Sequence, residues 1–245
     1  MTAIVLQARI DSSRLPGKAL LPLGGKPIIL RVMEALNNVP ASLRVLACPE
    51  DSVAPFTPLA AEAGFELCAG PKDDVLGRYC NVVRRFGITR LIRATGDNPF
   101  VFADAAAAIS SQAIALGADY AGYSGLPVGG GVEAVSAEAL FRAERDSKTP
   151  AEREHVCPYL YGHPELFMLH RIPPPCNWQG ADIRITVDTE EDYRRAQLLY
   201  EALDRQEKAG ELLNGDRYKG AVIIDTYIKV FRSAGERQPD GREPA

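Results

Sequence analysis

Three basic side chains follow the first apolar run of the sequence. Arg9, Arg14 and Lys18 come after residues 3–6, and Gly17 allows the loop between them to turn. An apolar run, a cationic loop and a helix in this order are typical of a phosphate-binding loop at the carboxyl end of a parallel strand. The alternative is an ordinary solvated loop, because Lys and Arg are common in loops.

An acidic residue follows the fourth predicted strand. Asp97 comes just after residues 90–95, and Gly96 between them permits a close backbone approach. At the carboxyl end of a parallel strand, this carboxylate would face the crevice in which open α/β sheets bind ligands. In a site that holds phosphates it would be a natural Mg²⁺ ligand. The alternative is a turn residue before the helix that is predicted from Phe102.

A second carboxylate, Asp188, follows residues 182–187, whose polar and apolar side chains alternate as in a half-exposed strand. It could share a metal with Asp97, or it could cap the next helix together with Glu191. Two carboxylates and two or three cations fit phosphoryl transfer on a nucleoside triphosphate, in which positioning and charge neutralisation do most of the work.

Residues 152–156 place His155 in a charged helix, where it could bind a carboxylate or hydroxyl of a substrate or simply lie on the surface. Two common nucleotide motifs are missing. Lys18 is followed by Ala19, so there is no GxxxxGK[ST] loop, and no GxGxxG follows the first strand. P-loop enzymes and dinucleotide-dependent dehydrogenases are therefore disfavoured.

Composition sets further limits on function. The chain has 245 residues and a net charge of −4, so no basic excess indicates a nucleic-acid partner. No apolar run approaches the roughly 20 residues of a membrane span, and the first residues do not resemble a signal peptide. The five cysteines are scattered, which predicts free thiols in a reducing compartment. We expect a soluble, cytoplasmic protein without a membrane partner.

Strand and helix patterns alternate regularly up to residue 123, which predicts a three-layer α/β/α fold around a mostly parallel sheet. Prolines predict a broken helix at best before Gly64. Later segments predict a helix over 151–161, a strand over 182–187, a long helix over 189–209 and a last helix over 217–231. We expect one domain over 1–232, with 125–180 as an elaboration, and a disordered tail over 233–245.

Several motifs in order resemble those of the sugar-acid cytidylyltransferases, the CMP-sugar synthetases, and especially their spore coat polysaccharide biosynthesis protein F branch. The resemblance extends from residue 3 to about residue 205. The motifs that carry it are Arg9-x-x-Ser12-x-Arg14-Leu15-Pro16-Gly17-Lys18, Gly25-Lys26-Pro27, Asp74-Val75-Leu76-x-Arg78, Gly96-Asp97-x-Pro99, Glu152-Arg153-Glu154-His155-Val156 and Val187-Asp188-Thr189-x-Glu191-Asp192.

The resemblance implies a nucleotide-diphospho-sugar transferase-like, Rossmann-like fold and transfer of CMP from CTP to an acidic sugar, with release of pyrophosphate, for surface polysaccharide synthesis. It implies a Mg²⁺ ion held by Asp97 and Asp188, and catalytic roles for Arg9, Lys18 and Asp97. It also implies a homodimer, with the interface in residues 125–180. The implied nucleotide-binding residues are Leu6, Gln7, Ala8, Arg9, Arg14, Lys18, Pro71, Asp73, Asp74, Arg78, Thr95, Gly96 and Asp97. The implied acceptor-binding residues are Glu133, Arg153 and His155.

The sequence departs from one branch of that family, the 3-deoxy-octulosonate cytidylyltransferases. Thr95 stands where that branch has Gln, and residues 72–78 replace a Ser-Gly-Thr-Asp-Arg segment. The acceptor therefore stays open between an acidic sugar and a phosphonate, polyol or phosphosugar. An inactive nucleotide-binding regulator is a further alternative, which the intact Arg9, Lys18, Asp97 and Asp188 disfavour.

Overall fold

The computed structural model describes residues 1–232, and the predicted disordered tail lies outside the described residues. The strands are, in chain order, β1 (Thr2–Gln7), β2 (Pro22–Leu23), β3 (Lys26–Pro27), β4 (Leu43–Pro49), β5 (Glu66–Gly70), β6 (Arg90–Thr95), β7 (Tyr120–Tyr123), β8 (Glu133–Ser136) and β9 (Leu169–Ile172). Seven of them form one sheet in the order β5-β4-β1-β6-β8-β7-β9, and β2 and β3 form a separate hairpin.

Strand β1 is the centre of the parallel part of the sheet. It pairs in parallel with β4 on one side and with β6 on the other, so Gln7 and Thr95 lie side by side at the carboxyl ends. Strand β8 is antiparallel to both of its neighbours, and β9 is parallel to β7. The prediction of a mostly parallel sheet is confirmed.

Helices cover both faces of the sheet. In β1, Ile4 and Leu6 pack into one core and Ala3 and Val5 into the other, because successive side chains of a strand point to opposite faces. Both faces are therefore buried, as the continuous apolar run predicts. The helices are α1 (Ile28–Leu36), α2 (Val53–Ala63), α3 (Val75–Phe86), α4 (Ala103–Leu116), α5 (Ala137–Asp146), α6 (Pro150–His155), α7 (Pro158–Gly162), α8 (Glu190–Lys208) and α9 (Gly220–Tyr227).

The prediction of a broken helix before Gly64 is wrong. Helix α2 is continuous through Pro58, and Pro55 lies in its first turn, where a missing N–H costs no hydrogen bond. Phe56 and Ala60 are buried in the core below it. Tertiary packing of these side chains outweighs the one helical hydrogen bond that Pro58 removes.

The single helix predicted over 151–161 is also wrong. Val156 separates α6 from α7 with φ 70° and ψ −58°, and the amide of Cys157 donates to the carbonyl of His155 at 2.8 Å. This is a γ-turn with positive φ, a strained conformation for a β-branched residue. Burial of the Val156 side chain in the core holds the turn in place.

Residues 182–187 do not form the predicted strand. Ile183, Ile185 and Val187 are buried, as the alternation predicts, but the segment makes only an isolated bridge, between Arg184 and Val128. The last predicted helix is divided as well: after a short turn, α9 ends at Tyr227 and a π-helical turn follows. Among the described helices, none combines the length and the apolar character of a membrane span.

Candidate active site

A cavity of 280 Å³ opens at the carboxyl ends of β1 and β6. It lies where ligands bind in open α/β sheets, at the strand ends that the helices leave uncovered. Its walls bring together the loop after β1, the turn after β6 and the segment before α8. The lining residues are Gln7, Ala8, Arg9, Ser12, Ser13, Arg14, Lys18, Ala19, Val75, Arg93, Thr95, Gly96, Asp97, Glu154, His155 and Asp188.

The ammonium group of Lys18 joins the two predicted metal ligands. Its Nζ donates to Asp97 Oδ2 at 3.0 Å, to Asp188 Oδ1 at 2.8 Å and to the carbonyl of Val187 at 2.9 Å. The Lys18 side chain is only 14% exposed. Lys18 therefore lies between two carboxylates that are more than ninety residues apart in the sequence.

Asp188 is surrounded by positive charge. Arg14 Nη2 lies 3.1 Å from its Oδ1, and Arg184 Nη2 lies 2.7 Å from its Oδ2. Partial burial by itself raises the pKa of Asp188, but the hydrogen bond and charge of Lys18, together with the two arginines, outweigh burial and lower the pKa. The group is therefore ionised near neutral pH.

Backbone contacts hold Asp97 and Asp188 at the same place. The amide of Val187 donates to the carbonyl of Asp97 at 2.8 Å, so the residue before Asp188 is tied directly to the turn after β6. The amide of Gly96 donates to the carbonyl of Gln7 at 2.8 Å. A Cβ at Gly96 would lie 2.7 Å from the Ala8 Cβ, so only glycine allows this close approach to β1.

Contacts outside the cavity hold the loop that carries Arg9, Arg14 and Lys18 in place. Gly17, with φ 68°, donates its amide to the carbonyl of Ile10 at 3.1 Å. The Ile10 amide donates in turn to the Oγ of Ser52 at 3.2 Å. The Lys72 ammonium contacts Asp11 at 2.5 Å, which joins the loop to the segment before α3. The fold therefore fixes the loop at both ends.

Five of the residues predicted to bind the nucleotide do not line this cavity. Leu6 is fully buried in the core, and Asp73 is exposed near Pro71. Asp74 accepts from the Gly77 amide at 2.9 Å and thereby caps α3. Arg78 is 1% exposed and donates to the Pro71 carbonyl at 2.5 Å. Asp74 and Arg78 shape the loop before α3 instead of facing the cavity.

The three residues predicted to bind the acceptor are not brought together. His155 lines the cavity described above, whereas Glu133 lines a second cavity beside it. Arg153 lines neither of the two: it donates to the Glu144 carbonyl at 2.7 Å and forms an ion pair with Asp74. Arg153 thus anchors α6 to the start of α3.

Arg93 and Glu154 line the cavity but were not among the predicted site residues. A signal for Arg93 was present in the sequence, because a charged side chain in the middle of a buried parallel strand requires a partner. Glu154 gave no comparable signal, since charged residues are common in exposed short helices.

The donors at this site limit the way in which it could hold a metal ion. Among residues 1–232, no group of three or more His, Cys, Asp or Glu side chains has the geometry of a metal site. Asp97 and Asp188 nevertheless offer oxygens within 3.0 Å of one cationic nitrogen. Mg²⁺ commonly takes one or two protein carboxylates and completes its shell with waters and substrate phosphates. The two carboxylates fit that mode of binding.

Comparison with known proteins identifies the family. The sequence profile of the Cytidylyltransferase family matches residues 3–219, and the chain belongs to that family. The chain is 29% identical over 214 residues to the spore coat polysaccharide biosynthesis protein SpsF of Bacillus subtilis, covering 84% of this chain and 87% of that protein. The protein is a nucleotidyltransferase, and the resemblance seen in its motifs is confirmed.

Solved structures agree on the fold. A cytidylyltransferase from Leptospira borgpetersenii superposes with a TM-score of 0.83 at 22% identity, covering 99% of both chains. CMP:2-keto-3-deoxy-manno-octonic acid synthetase, solved in complex with CTP, superposes with a TM-score of 0.62 at 17% identity, covering 86% of this chain and 99% of that one. The predicted nucleotide-diphospho-sugar transferase-like fold is confirmed.

Proposed function

We propose that this protein transfers CMP from CTP to a hydroxyl of an acidic sugar and releases pyrophosphate. The observation that carries the proposal is the cluster in which Lys18 joins Asp97 and Asp188, within a cavity that Arg9 and Arg14 also line. Cations and paired carboxylates at one strand edge are suited to a triphosphate and its metal ion. The CTP bound to the octonic acid synthetase, a structural neighbour, supports the choice of nucleotide.

The reaction forms a bond between the acceptor oxygen and the α-phosphorus of CTP. The bond from that phosphorus to the oxygen bridging it to the β-phosphate breaks, pyrophosphate leaves, and the hydroxyl proton passes to solvent. Charge spreads over the phosphate oxygens during transfer, so the chain contributes mainly positioning and neutralisation. Arg9, Arg14 and Lys18 supply that positive charge.

Asp97 and Asp188 would hold a Mg²⁺ ion. When bound, such an ion neutralises phosphate charge and orients the phosphates. The contribution of the chain is to keep the two carboxylates close together and Asp188 ionised. The tie from the Val187 amide to the Asp97 carbonyl keeps them close, and the cations around Asp188 favour its ionised form.

A role in surface polysaccharide synthesis is supported by the name of the Bacillus subtilis relative. A cytoplasmic location also belongs to the proposal, and the five free cysteines of the described residues support it, because unpaired thiols are typical of a reducing compartment. The homodimer implied by the resemblance, with its interface in residues 125–180, also belongs to the proposal. Strand β9 lies at one edge of the sheet within that range, and no strand among residues 1–232 pairs with its outer side.

The test is pyrophosphate release with each of the four nucleoside triphosphates, a set of acidic sugars, and Mg²⁺ present or removed by chelation. We expect release only with CTP, an acidic sugar and the metal together. Release with a phosphonate, a polyol or a phosphosugar, but with no acidic sugar, would show that the acceptor belongs to one of those classes instead. Binding of CTP without release under any combination would identify a regulator instead of an enzyme.

A further inference from the structure

A second cavity, of 320 Å³, lies beside the nucleotide cavity. Arg93 and Thr95 line both, so the two cavities meet at the end of β6. Strand β7, the start of β8 and the glycine-rich loop between them form its other walls. Its position next to the phosphate-binding loop is the position that an acceptor requires, if the proposed function is correct.

The charges in this second cavity cancel. Of its lining residues in the described part of the chain, only Arg93 and Glu133 carry a charge. Arg93 Nη1 lies 2.5 Å from Glu133 Oε2, and the two side chains are only 17% and 22% exposed. Partly buried pairs of this kind are screened little by solvent. An incoming ligand therefore meets a dipole and no free positive charge.

Both carboxylate oxygens of Glu133 accept hydrogen bonds. Its Oε1 accepts from the Tyr120 hydroxyl at 2.8 Å, while its Oε2 is held by Arg93. Burial, together with the negative charge of Glu133, raises the pKa of Tyr120, which keeps the phenol protonated as a donor. With both oxygens engaged, Glu133 is not arranged to take a proton from an acceptor. Its contribution is to neutralise Arg93.

The other polar groups around the second cavity are uncharged. The Tyr123 hydroxyl accepts from Gln112 at 3.2 Å and still has its own proton to donate. The Asn98 side-chain amide donates to Thr95 at 2.8 Å, which leaves its oxygen as an acceptor. Donors and acceptors of this kind recognise hydroxyl groups, so the cavity suits a polyhydroxylated ligand.

We propose that the ion pair of Arg93 and Glu133 selects the acceptor by charge. The second cavity takes a polyhydroxylated acceptor that carries no more than one negative charge, and it rejects doubly charged, phosphorylated acceptors. A dianion there would face the carboxylate of Glu133 with no uncompensated cation to balance it. Glu133 is thus a specificity-determining residue, and this inference rests on the proposed function of the adjoining site.

Three probes on one sugar skeleton test this charge selection: glucose, glucuronate and glucose 6-phosphate. Each is titrated into the isotope-labelled full-length protein without nucleotide, and binding is followed by the backbone amide resonances of Gly122 and Gly131. These two glycines line the second cavity only, whereas Ala8 and Gly96 line the nucleotide cavity and report binding there. The readout therefore separates the two cavities.

In the wild-type protein we expect glucuronate to bind the second cavity at least about tenfold more tightly than glucose 6-phosphate, a difference of about 1.4 kcal/mol. Glu133→Gln leaves Arg93 uncompensated, so the phosphate ester should gain at least about tenfold relative to glucuronate. Glu133→Asp, which keeps the charge, should retain the wild-type preference. Glu138→Gln, the same change at an exposed position of α5, should also retain it.

Three results would overturn the inference. They are equal or tighter binding of glucose 6-phosphate by the wild-type protein, an unchanged ratio in Glu133→Gln, and no response of either glycine to any probe. If Glu133→Gln does not fold, Arg93→Gln serves instead, and it should weaken glucuronate relative to glucose because Glu133 is then uncompensated. Because binding is measured without nucleotide, absence of pyrophosphate release would refute the proposed function and leave this result standing.

Discussion

Lys18 occupies the position between two carboxylates that a divalent cation would also prefer. If Asp97 and Asp188 hold a metal ion as proposed, we expect the ammonium group of Lys18 to compete with that ion in the nucleotide-free protein. A triphosphate changes this competition, because its oxygens offer Lys18 other partners. We therefore expect the three hydrogen bonds of Lys18 to affect metal affinity as well as nucleotide binding.

Replacing Lys18 with Met should strengthen metal binding by the nucleotide-free protein at least about tenfold, since Asp97 and Asp188 then lack their shared cation. The same change should slow pyrophosphate release about 10²–10³-fold, by analogy with the loss of one transition-state donor. Electron paramagnetic resonance of added Mn²⁺ measures the affinity. Lys26→Met is the matched control, because Lys26 pairs with Glu34 outside the cavity. Equal Mn²⁺ affinity in all three proteins would refute the competition.

Gly96 is tightly packed against neighbouring side chains and directly precedes Asp97. An added Cβ would lie 2.7 Å from the Ala8 Cβ and 2.9 Å from the Ile29 Cδ1. Gly96→Ala should therefore lower the free energy of unfolding by about 1–3 kcal/mol, as overpacking does, and displace Asp97. Thermal unfolding measures the first effect and pyrophosphate release the second. Gly162→Ala, where nothing lies within 4 Å of the added Cβ, should change neither.

At the scale of elements, the hairpin of β2 and β3 is held to α1 by an ionic cluster. Glu34 on α1 contacts Lys26 at 2.6 Å and Arg31 at 2.8 Å, and Arg31 also donates to the Leu23 carbonyl. Partial burial alone would raise the pKa of Glu34, but Lys26 and Arg31 outweigh it and lower the pKa. Ionised Glu34 therefore stabilises the folded state.

Glu34→Gln should lower the free energy of unfolding at neutral pH by up to about 1 kcal/mol, because solvent screens part of the interaction. A lowered folded-state pKa means that this stabilisation is present above the unfolded value and is lost as pH falls through the folded value. The difference between the two proteins should therefore shrink below about pH 4. Denaturant unfolding at several pH values measures it. A difference that grows as pH falls would contradict the assignment, and Glu201→Gln, at an exposed position of α8, is the control.

The elements that the sequence predicted well are those whose own residues determine them. The continuous apolar run of β1 and the helical spacing of apolar residues in α1 were sufficient, because burial on both faces of a strand or on one face of a helix is visible in the sequence itself. The break at Val156 was missed because a buried β-branched residue gives no sign of positive φ. Residues 182–187 were misassigned because their alternation reports burial, and burial does not require a strand partner.

At the scale of the whole molecule, the cavity at the ends of β1 and β6 was more predictable than the second cavity beside it. Arg9, Lys18, Asp97 and Asp188 belong to short motifs at the ends of apolar segments, and parallel topology brings such ends to one edge. The second cavity is built from β7, β8 and a glycine-rich loop whose arrangement depends on long-range packing. Its pairing of Arg93 with Glu133 could not be read from spacing, because β6 and β8 meet only in the folded sheet.

The central claim is that Asp97 takes part in the transfer of a nucleotidyl group, and one comparison tests it most directly. Pyrophosphate release from CTP is measured for Asp97→Asn and for Asp225→Asn, an identical change at an exposed position of α9. Both proteins should show the circular dichroism spectrum of the wild type. We expect release to fall at least about 100-fold in Asp97→Asn and to stay unchanged in Asp225→Asn. Full turnover by a folded Asp97→Asn protein would contradict the account.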